Sequence, residues 1–488
     1  PFLKFCLSEG SFKQLENSSS NLPLYVDLDG TLIKSDLMFE SILILLKNNL
    51  FFLLAIPIWL LKGRSYLKLQ LAKRVQIPID LMPVNKEFHE FLQKEKERGR
   101  KLVLISASNQ TAVEQASSYF GLFNESFGSN NSTNLKANNK LVKIQKLNNG
   151  ESFSYAGNSS ADIPIWKESA EALLVNCSQS LEGKIKTANT RTFDSAPAQF
   201  NKLLEAMRPH QWLKNLLVFV PLILSHQINQ LDLLFLSIIA YTSFCLCASS
   251  VYLLNDMLDL KSDRLHINKS KRAFASGDLP LATGFLAGPL LFLIGVLSAL
   301  LLPHSFLSVL LIYWLLTSLY SFYLKRLFLA DVITLAVLYT MRIIAGSAAI
   351  SVQTTVWLIT FSFFLFLGLA LVKRVTELLN LIREGKQRVE GRPYLNTHLP
   401  LLSRIGKASS ATAIIVFVLY ITAPETTQLY SSPLILWLIC PLLMYLLFRI
   451  WQFTYKQKLE EDPVLFAITD RIGQGIAVIC AVLIWLAA

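Results

Sequence analysis

After residue 208 the chain is a succession of long apolar runs, and this limits its fold more than any other feature. Nine runs can be counted, at about 212–226, 233–254, 282–302, 304–323, 329–350, 355–373, 409–423, 432–452 and 472–488. A straight helix needs about 20 apolar residues to cross a bilayer, so the shorter runs depend on their flanking turns. In lipid every backbone polar group has to be satisfied inside the protein, and runs of this kind do so as helices. Composition agrees: 52% of the 488 residues are hydrophobic and 16% charged, against about 25% charged in ordinary soluble domains. Residues 1–200 carry charges throughout and read as a soluble head. The expected fold is an N-terminal α/β domain followed by an all-α membrane body of about nine transmembrane helices.

The formal net charge is +12. The basic residues lie beside apolar spans, which favours anionic lipid and phosphorylated substrate as partners and disfavours nucleic acid. The connections near 225–232, 302–308, 351–356 and 421–434 have no Lys or Arg. Lys261, Arg264, Lys269, Lys271 and Arg272 fall in 255–281, Lys325 and Arg326 in the next basic loop, eight Lys or Arg in 373–407, and Lys456, Lys458 and Arg471 in the last. By the positive-inside rule these loops and the head are expected to be cytoplasmic and the C-terminus external, as in a bacterial inner or plasma membrane protein. Cys6, Cys177, Cys245, Cys247, Cys440 and Cys480 have no zinc-ligand spacing. The N-terminal stretch, which lacks an initiator Met, does not read as a signal peptide.

The second run ends in NDMLDLKSD. If its helix continues, Asn255, Asp259 and Asp263 share one face and Asp256 lies beside Asp259. Stacked carboxylates repel, and at a membrane helix end they are costly and functional by default. Mg²⁺ held by a few carboxylates and by substrate phosphates relieves that repulsion. A solvated helix end with scattered acids is the bland alternative.

NDMLDLKSD resembles the NDxxDxxxD signature of the UbiA superfamily of intramembrane prenyltransferases. RPHQWLKN, YSFYLKR and the nine runs resemble it too, over about 280 residues. Within the superfamily, MRPHQWLKNLLVFVPL, KRAFASG, LADVITLAVLYTMRIIAG, LALVKRVTEL and EDPVLFAITDR are similar to decaprenyl-phosphate phosphoribosyltransferases. The resemblance implies transfer of phosphoribose from phosphoribosyl pyrophosphate (PRPP) to a polyprenyl phosphate. Mg²⁺ at Asp256, Asp259 and Asp263 would hold the leaving pyrophosphate. Lys214, Asn255, Arg264, Lys271, Arg272, Tyr320, Lys325, Arg342, Lys373 and Arg374 are the candidates for holding substrate, with Arg342 the sharpest because it lies inside a span. Its structural alternative is an ion pair with Asp331. The stretch LVKRVTELLNLIREGKQRVEGR has Glu377, Glu384 and Glu390 but no Asp. Lys373, Arg374, Arg383, Lys386 and Arg388 dominate it, which favours direct phosphate contact over a second metal–diphosphate site.

In the head, LPLYVDLDGTL reads as a buried strand ending in two aspartates, and α/β sheets bind ligands at strand C-terminal ends. DLDGTL resembles the DxDGTL signature of the haloacid dehalogenase (HAD) superfamily, a Rossmann-like fold. KLVLISAS, NLKANNK and FSYAGNSSAD continue the pattern. The resemblance implies a phosphatase with Asp27 as nucleophile and Asp29 as general acid/base. Ser106 and Lys140 would be the phosphoryl ligands, with Lys136 and Lys143 as rivals of Lys140. Mg²⁺ would sit at Asp27, Asp29 (through its backbone carbonyl), Asn158 and Asp162. A dead HAD fold kept as a cap is the alternative. The apolar run Leu50–Leu61, with Pro57 inside, is too short to span. It is expected in a helical cap (about 40–75) on the membrane surface with Lys62, Arg64, Lys68, Lys73 and Arg74 near headgroups, or else as a buried core helix. The expected domains are 20–180, a linker 181–207, and 208–488.

Fusion of the two halves suggests consecutive reactions, the head removing the 5-phosphate of the body's lipid product. An aromatic-acceptor prenyltransferase and a non-enzymatic membrane carrier with a regulatory head are the competing readings. Oligomerisation stays open.

Overall fold

The computed structural model describes residues 22–130, 133–185, 189–194, 197–383, 385, 392–424, 430–459 and 462–487. Cys6, Glu384, Lys386, Arg388 and Glu390 lie outside them. The chain divides into two compact units. One contains residues up to 206 together with 256–286; the other contains 207–255 and 287–488.

The first unit is built on a parallel sheet of six strands: β1 (Leu24–Val26), β2 (Leu102–Asn109), β3 (Glu125–Ser129), β4 (Ser154–Gly157), β5 (Glu171–Val175) and β6 (Thr190–Phe193), in the order β3-β2-β1-β4-β5-β6. Alternate residues of β1 serve opposite faces, as the two-residue period of a strand requires. Leu24 and Val26 join Phe88, Leu92 and Val113 on one face, and Tyr25 joins Ile144, Tyr155 and Trp166 on the other. Burial on both faces explains why the central strands are continuous apolar runs. Order reverses at β1, and a doubly wound sheet binds ligands at the carboxyl ends of the strands there.

β6 corrects the sequence division. Thr190–Phe193 lies in the expected linker but pairs with β5, Leu173 opposite Arg191. As a four-residue edge strand with alternately exposed side chains, it leaves almost no apolar signal.

Between β1 and β2 the chain forms three cap helices, α1 (Leu37–Asn48), α2 (Phe52–Leu61) and α3 (Arg64–Ala72). Asp36 caps α1 by accepting from the amides of Met38 and Phe39. α2 buries none of its residues, which excludes the buried core helix. Leu54 is 73% and Leu61 89% exposed.

The second unit is helical. The helices α4 (Leu231–Leu258), α5 (Leu281–Ala299), α6 (His304–Phe322), α7 (Ala330–Ala349) and α8 (Val356–Arg383) are followed by α9 (Leu399–Thr422), α10 (Ile439–Tyr455), α11 (Pro463–Thr469) and α12 (Arg471–Ala487). α4 and α5 also reach into the first unit. Among the described residues seven helices are long and apolar enough to cross a membrane, or eight if α11 and α12, bent by 74°, form one span. About nine were expected from the sequence. The run 212–226 is a 3₁₀ segment, Pro209–Phe219, followed by a helix of five residues, Val220–Leu224. A Cβ on Gly346 of α7 would lie 2.0 Å from the Val218 carbonyl oxygen. The bare glycine lets this segment lie directly against α7. α7 is the most buried span, with 72% of its apolar stretch covered.

Candidate active sites

In the first unit β1 ends at Val26, and the turn that follows carries Asp27 and Asp29. Gly30 has φ +77°, and a Cβ there would fall 2.0 Å from Asn158 Nδ2. The glycine of DLDGTL thus permits both the turn and the approach of the β4 end. Lys140 Nζ is 2.8 Å from Asp27 Oδ2 and 3.8 Å from Asp162 Oδ1. Of the three candidate lysines it is Lys140 that is buried. Lys136 is exposed and Lys143 lies over the Phe127 ring. Asp162 accepts from the Tyr155 hydroxyl (2.7 Å), the Ser159 amide and the Ser159 hydroxyl. Asp29 accepts from the hydroxyls of Ser106 (3.0 Å) and Ser108 (2.6 Å) and the Leu37 amide. The Thr31 hydroxyl approaches Asn158 Oδ1 at 3.4 Å.

Burial dominates the electrostatics. It pushes the Asp27 carboxyl up to about 6 against the pull of Lys140. It also raises Asp29, with the Asp36 charge adding to the effect. Lys140 is held above the usual lysine range because Asp27 and Asp162 outweigh its burial. Lys68 is a correction. It does not extend toward headgroups: its Nζ donates to the Ala107 carbonyl (2.5 Å) beside the ends of β1 and β2. Burial, which lowers its pKa, is opposed by Asp29 and Asp36. A cavity of ≈ 460 Å³ opens on Asp29, Asn158, Ser159 and Lys184, and a second of ≈ 670 Å³ is lined by Lys68, Ser108 and cap residues.

Sequence reasoning passed over Ser108, Tyr155, Asp36 and the true place of Lys68. Ser108, two residues after Ser106 on β2, had a readable signal in strand alternation. Tyr155 had none, since it reads as core.

The acidic motif after α4 also departs from expectation. The helix does not continue through it. α4 stops at Leu258, Asp259 breaks the run with ψ 11°, and a separate helix covers Leu260–Leu265. Arg272 bridges Asp256 (3.3 Å) and Asp263 (2.7 Å). Lys47 of α1 reaches Asp259 (3.3 Å) and the Leu258 carbonyl (2.7 Å). Arg264, a phosphate candidate, is engaged with Glu40 of α1. Lys271 is exposed. Among the described residues no three His, Cys, Asp or Glu side chains converge as a ready metal cage. Mg²⁺ takes one or two carboxylates and completes its shell with water and substrate oxygens, and both acidic clusters offer such pairs.

The second unit gathers the remaining candidates into two clusters. In one, Lys214 and Lys373 each lie 2.8 Å from Asp462 Oδ2, and Tyr339 donates to Asp462 Oδ1 (3.2 Å). Arg342 stands over the rings of Tyr313 and Tyr339 and donates to Asn215 Oδ1 (2.9 Å), the Tyr313 hydroxyl (2.9 Å) and the Leu338 carbonyl. Its expected alternative partner, Asp331, is elsewhere. That carboxylate belongs to the other cluster, with Arg374 (2.5 Å), Arg392 (2.6 Å) and the Tyr320 hydroxyl (2.7 Å). Glu377 also pairs with Arg374. Arg374 and Tyr320 are thus tied into an internal network. Lys325 donates to Asn255 Oδ1 (3.3 Å). The residue missed was Asp462, an acid capping α11 through the Val464 amide; its position between two apolar runs was the available signal.

Known proteins fit this description. The UbiA prenyltransferase family matches residues 216–471. An uncharacterized protein of Sinorhizobium fredii, y4nM, is 35% identical over 94% of this chain and 90% of its own length. The decaprenyl-phosphate phosphoribosyltransferase of Mycolicibacterium smegmatis is 30% identical over 44% of this chain and 68% of its own. A UbiA homolog from Archaeoglobus fulgidus, solved with GPP and Mg²⁺, aligns with TM-score 0.43 and 18% identity over 59% of this chain and 98% of its own. The family match covers more than half of the 488 residues and all but the ends of the helical unit, and the chain is a multi-pass membrane protein belonging to the UbiA prenyltransferase family.

Proposed function

We propose that the membrane body transfers 5-phosphoribose from PRPP to a polyprenyl phosphate, and that the head is a HAD-type phosphatase that removes the 5-phosphate from the product. The observation that carries the first part is the cluster of Lys214, Lys373 and Arg342 inside the helical unit. Two lysines on one carboxylate, with Arg342 beside them on neutral partners, suit a phosphate group and need no second acidic motif. The identity with a decaprenyl-phosphate phosphoribosyltransferase supports the same reading. A phosphate oxygen of the lipid attacks the anomeric carbon of PRPP, the bond from that carbon to pyrophosphate breaks, and the pyrophosphate leaves. Two of Asp256, Asp259 and Asp263, with substrate oxygens completing the shell, would hold Mg²⁺, which stabilises the leaving charge when bound. Arg272 lies beside Asp256 and Asp263 and would supply further positive charge.

In the head, Asp27 attacks the phosphorus of the 5-phosphate and the ribose oxygen leaves with a proton from Asp29. Burial raises the Asp29 pKa, which suits it to carry that proton. Ser106 and Lys140 hold the phosphoryl oxygens, and water then cleaves the phospho-aspartate. Formally Asp27, Asp29, Asp36 and Asp162 outnumber Lys68 and Lys140 by two charges, which suits a divalent cation. Asp27, the Asp29 carbonyl, Asn158 and Asp162 would hold Mg²⁺ there.

The basic loops and the head face the cytoplasm in this reading, and α2 lies on the membrane surface. The test is incubation of purified protein with Mg²⁺, PRPP and a polyprenyl phosphate, followed by mass spectrometry of the lipid. A ribosyl adduct supports both activities, and a phosphoribosyl adduct supports the transferase alone. No adduct, with prenylation of an aromatic acid from polyprenyl diphosphate, overturns the reading.

A further inference from the structure

Arg342 is 5% exposed, yet every partner it has is neutral: an amide oxygen, a hydroxyl, a backbone carbonyl and two aromatic faces. Among the described residues no carboxylate lies in ion-pair range of it. A buried charge left in this way is costly unless an anion joins it. Tyr339 links it to the one carboxylate nearby, since its ring lies under Arg342 (5.0 Å) and Lys214 (5.7 Å) while its hydroxyl donates to Asp462. Asp462 is shared by Lys214 and Lys373. Glu377, one helical turn from Lys373, is taken by Arg374. Among the described residues the connected set therefore holds three cations and one anion. Lys373, 34% exposed, is the most accessible of the three cations.

We propose that Asp462 is a specificity-determining residue: it fixes the formal charge of this site at +2 and makes it selective for a lipid phosphomonoester over a lipid diphosphate. The proposal rests on the acceptor reading given above and adds to it the way the acceptor is chosen. A phosphomonoester carries between 1.5 and 2 negative charges near neutral pH, about −2 when fully ionised. A diphosphate presents more charge and a second phosphoryl group, which would meet the Asp462 carboxylate. Where solvent is excluded, one surplus charge is weighted far more heavily than in water. In a site of charge +3 the order of preference should turn over.

The experiment uses the full chain in lipid nanodiscs, without divalent cations, and measures the affinities of farnesyl phosphate and farnesyl diphosphate. The wild type should favour the monophosphate. Asp462→Asn should move the ratio of the two affinities toward the diphosphate by about tenfold or more, and Asp462→Glu should restore the wild-type order. Lys373→Met, at a half-exposed position, should move the ratio the other way and covers the case in which Asp462→Asn does not fold. A ratio unchanged in Asp462→Asn, or in Lys373→Met, overturns the proposal. Transfer from PRPP, assayed on the same wild-type sample, separates the two ideas. Selective binding without transfer keeps the site and removes the proposed reaction. Transfer with an unaltered ratio keeps the reaction and removes the role of Asp462.

Discussion

The polar centre of the head and that of the membrane body are built in opposite senses. In the head, four carboxylates face two lysines, and Asp27 and Asp29 are raised toward their neutral forms by burial. In the body, among the described residues, two lysines share one carboxylate, and Arg342 beside them has only neutral partners. A formal surplus of acids at the ends of β1 and β4 suits a cation, whose charge would also favour their ionised forms. A surplus of positive charge within helices favours an anion directly. A second contrast lies inside the body. Lys373 and Arg374 are adjacent, yet Lys373 turns into the surplus-positive cluster while Arg374 enters a network of two arginines with Asp331 and Glu377 that is neutral as it stands. Adjacent helix positions point about 100° apart, so neighbouring cations can have different work.

The largest effect that tests this contrast is expected at the head. Asp27→Asn should lower release of the 5-phosphate at least about 10³-fold, as loss of a nucleophile does, while leaving phosphoribose transfer intact. The lipid would accumulate as its phosphoribosyl form in mass spectra. Loss of both activities would show that the two centres do not work separately.

Next is the neutral network. Arg374→Met leaves Asp331 short of a buried partner and should destabilise the body by about 3–5 kcal/mol, seen as a fall in Tm of the nanodisc-embedded protein. Arg342→Met should instead leave Tm nearly unchanged or raise it, because it removes an unneutralised buried charge, while lowering transfer about 10²-fold. Equal losses of Tm in the two variants would erase the distinction between the clusters.

The pH dependence comes third. The Asp27 pKa is raised from 3.8 to about 6 in the folded protein. Its protonated form is therefore favoured by folding, and the resulting contribution to stability is full below about 4 and lost as pH rises through about 6. Asp27→Asn should flatten the stability trend. A stability that does not fall as pH rises through about 6 in the metal-free protein would contradict the burial effect.

The smallest effect concerns α2. Nitroxide labels at Leu54 and Leu61 should show oxygen accessibility typical of the acyl–headgroup boundary, and Leu54→Glu should slow 5-phosphate removal only severalfold by weakening attachment. Water-like accessibility at both positions would place α2 in solvent.

Local pattern alone determined much of this protein. Run length and loop charge announced a membrane body. DLDGTL placed two acids at a strand end, and NDMLDLKSD marked an acidic stretch across the end of α4. These signals depend on neighbours in sequence, and so they could be read from it. The division of cations could not. Arg264, Arg342, Lys373 and Arg374 looked alike as candidates, but Glu40, Asn215, Asp462 and Asp331, their partners, lie 43 to 224 residues away. Lys68 looked like a headgroup contact until the fold brought it to Ala107. Thr190–Phe193 looked like a linker until β5 offered it an edge. The expected span at 212–226 is instead a 3₁₀ segment and a helix of five residues lying against Gly346. Charge type and apolar period are local properties of a chain, but whether a buried charge is neutralised depends on which distant group the fold brings within about 3 Å, and only the tertiary structure decides that.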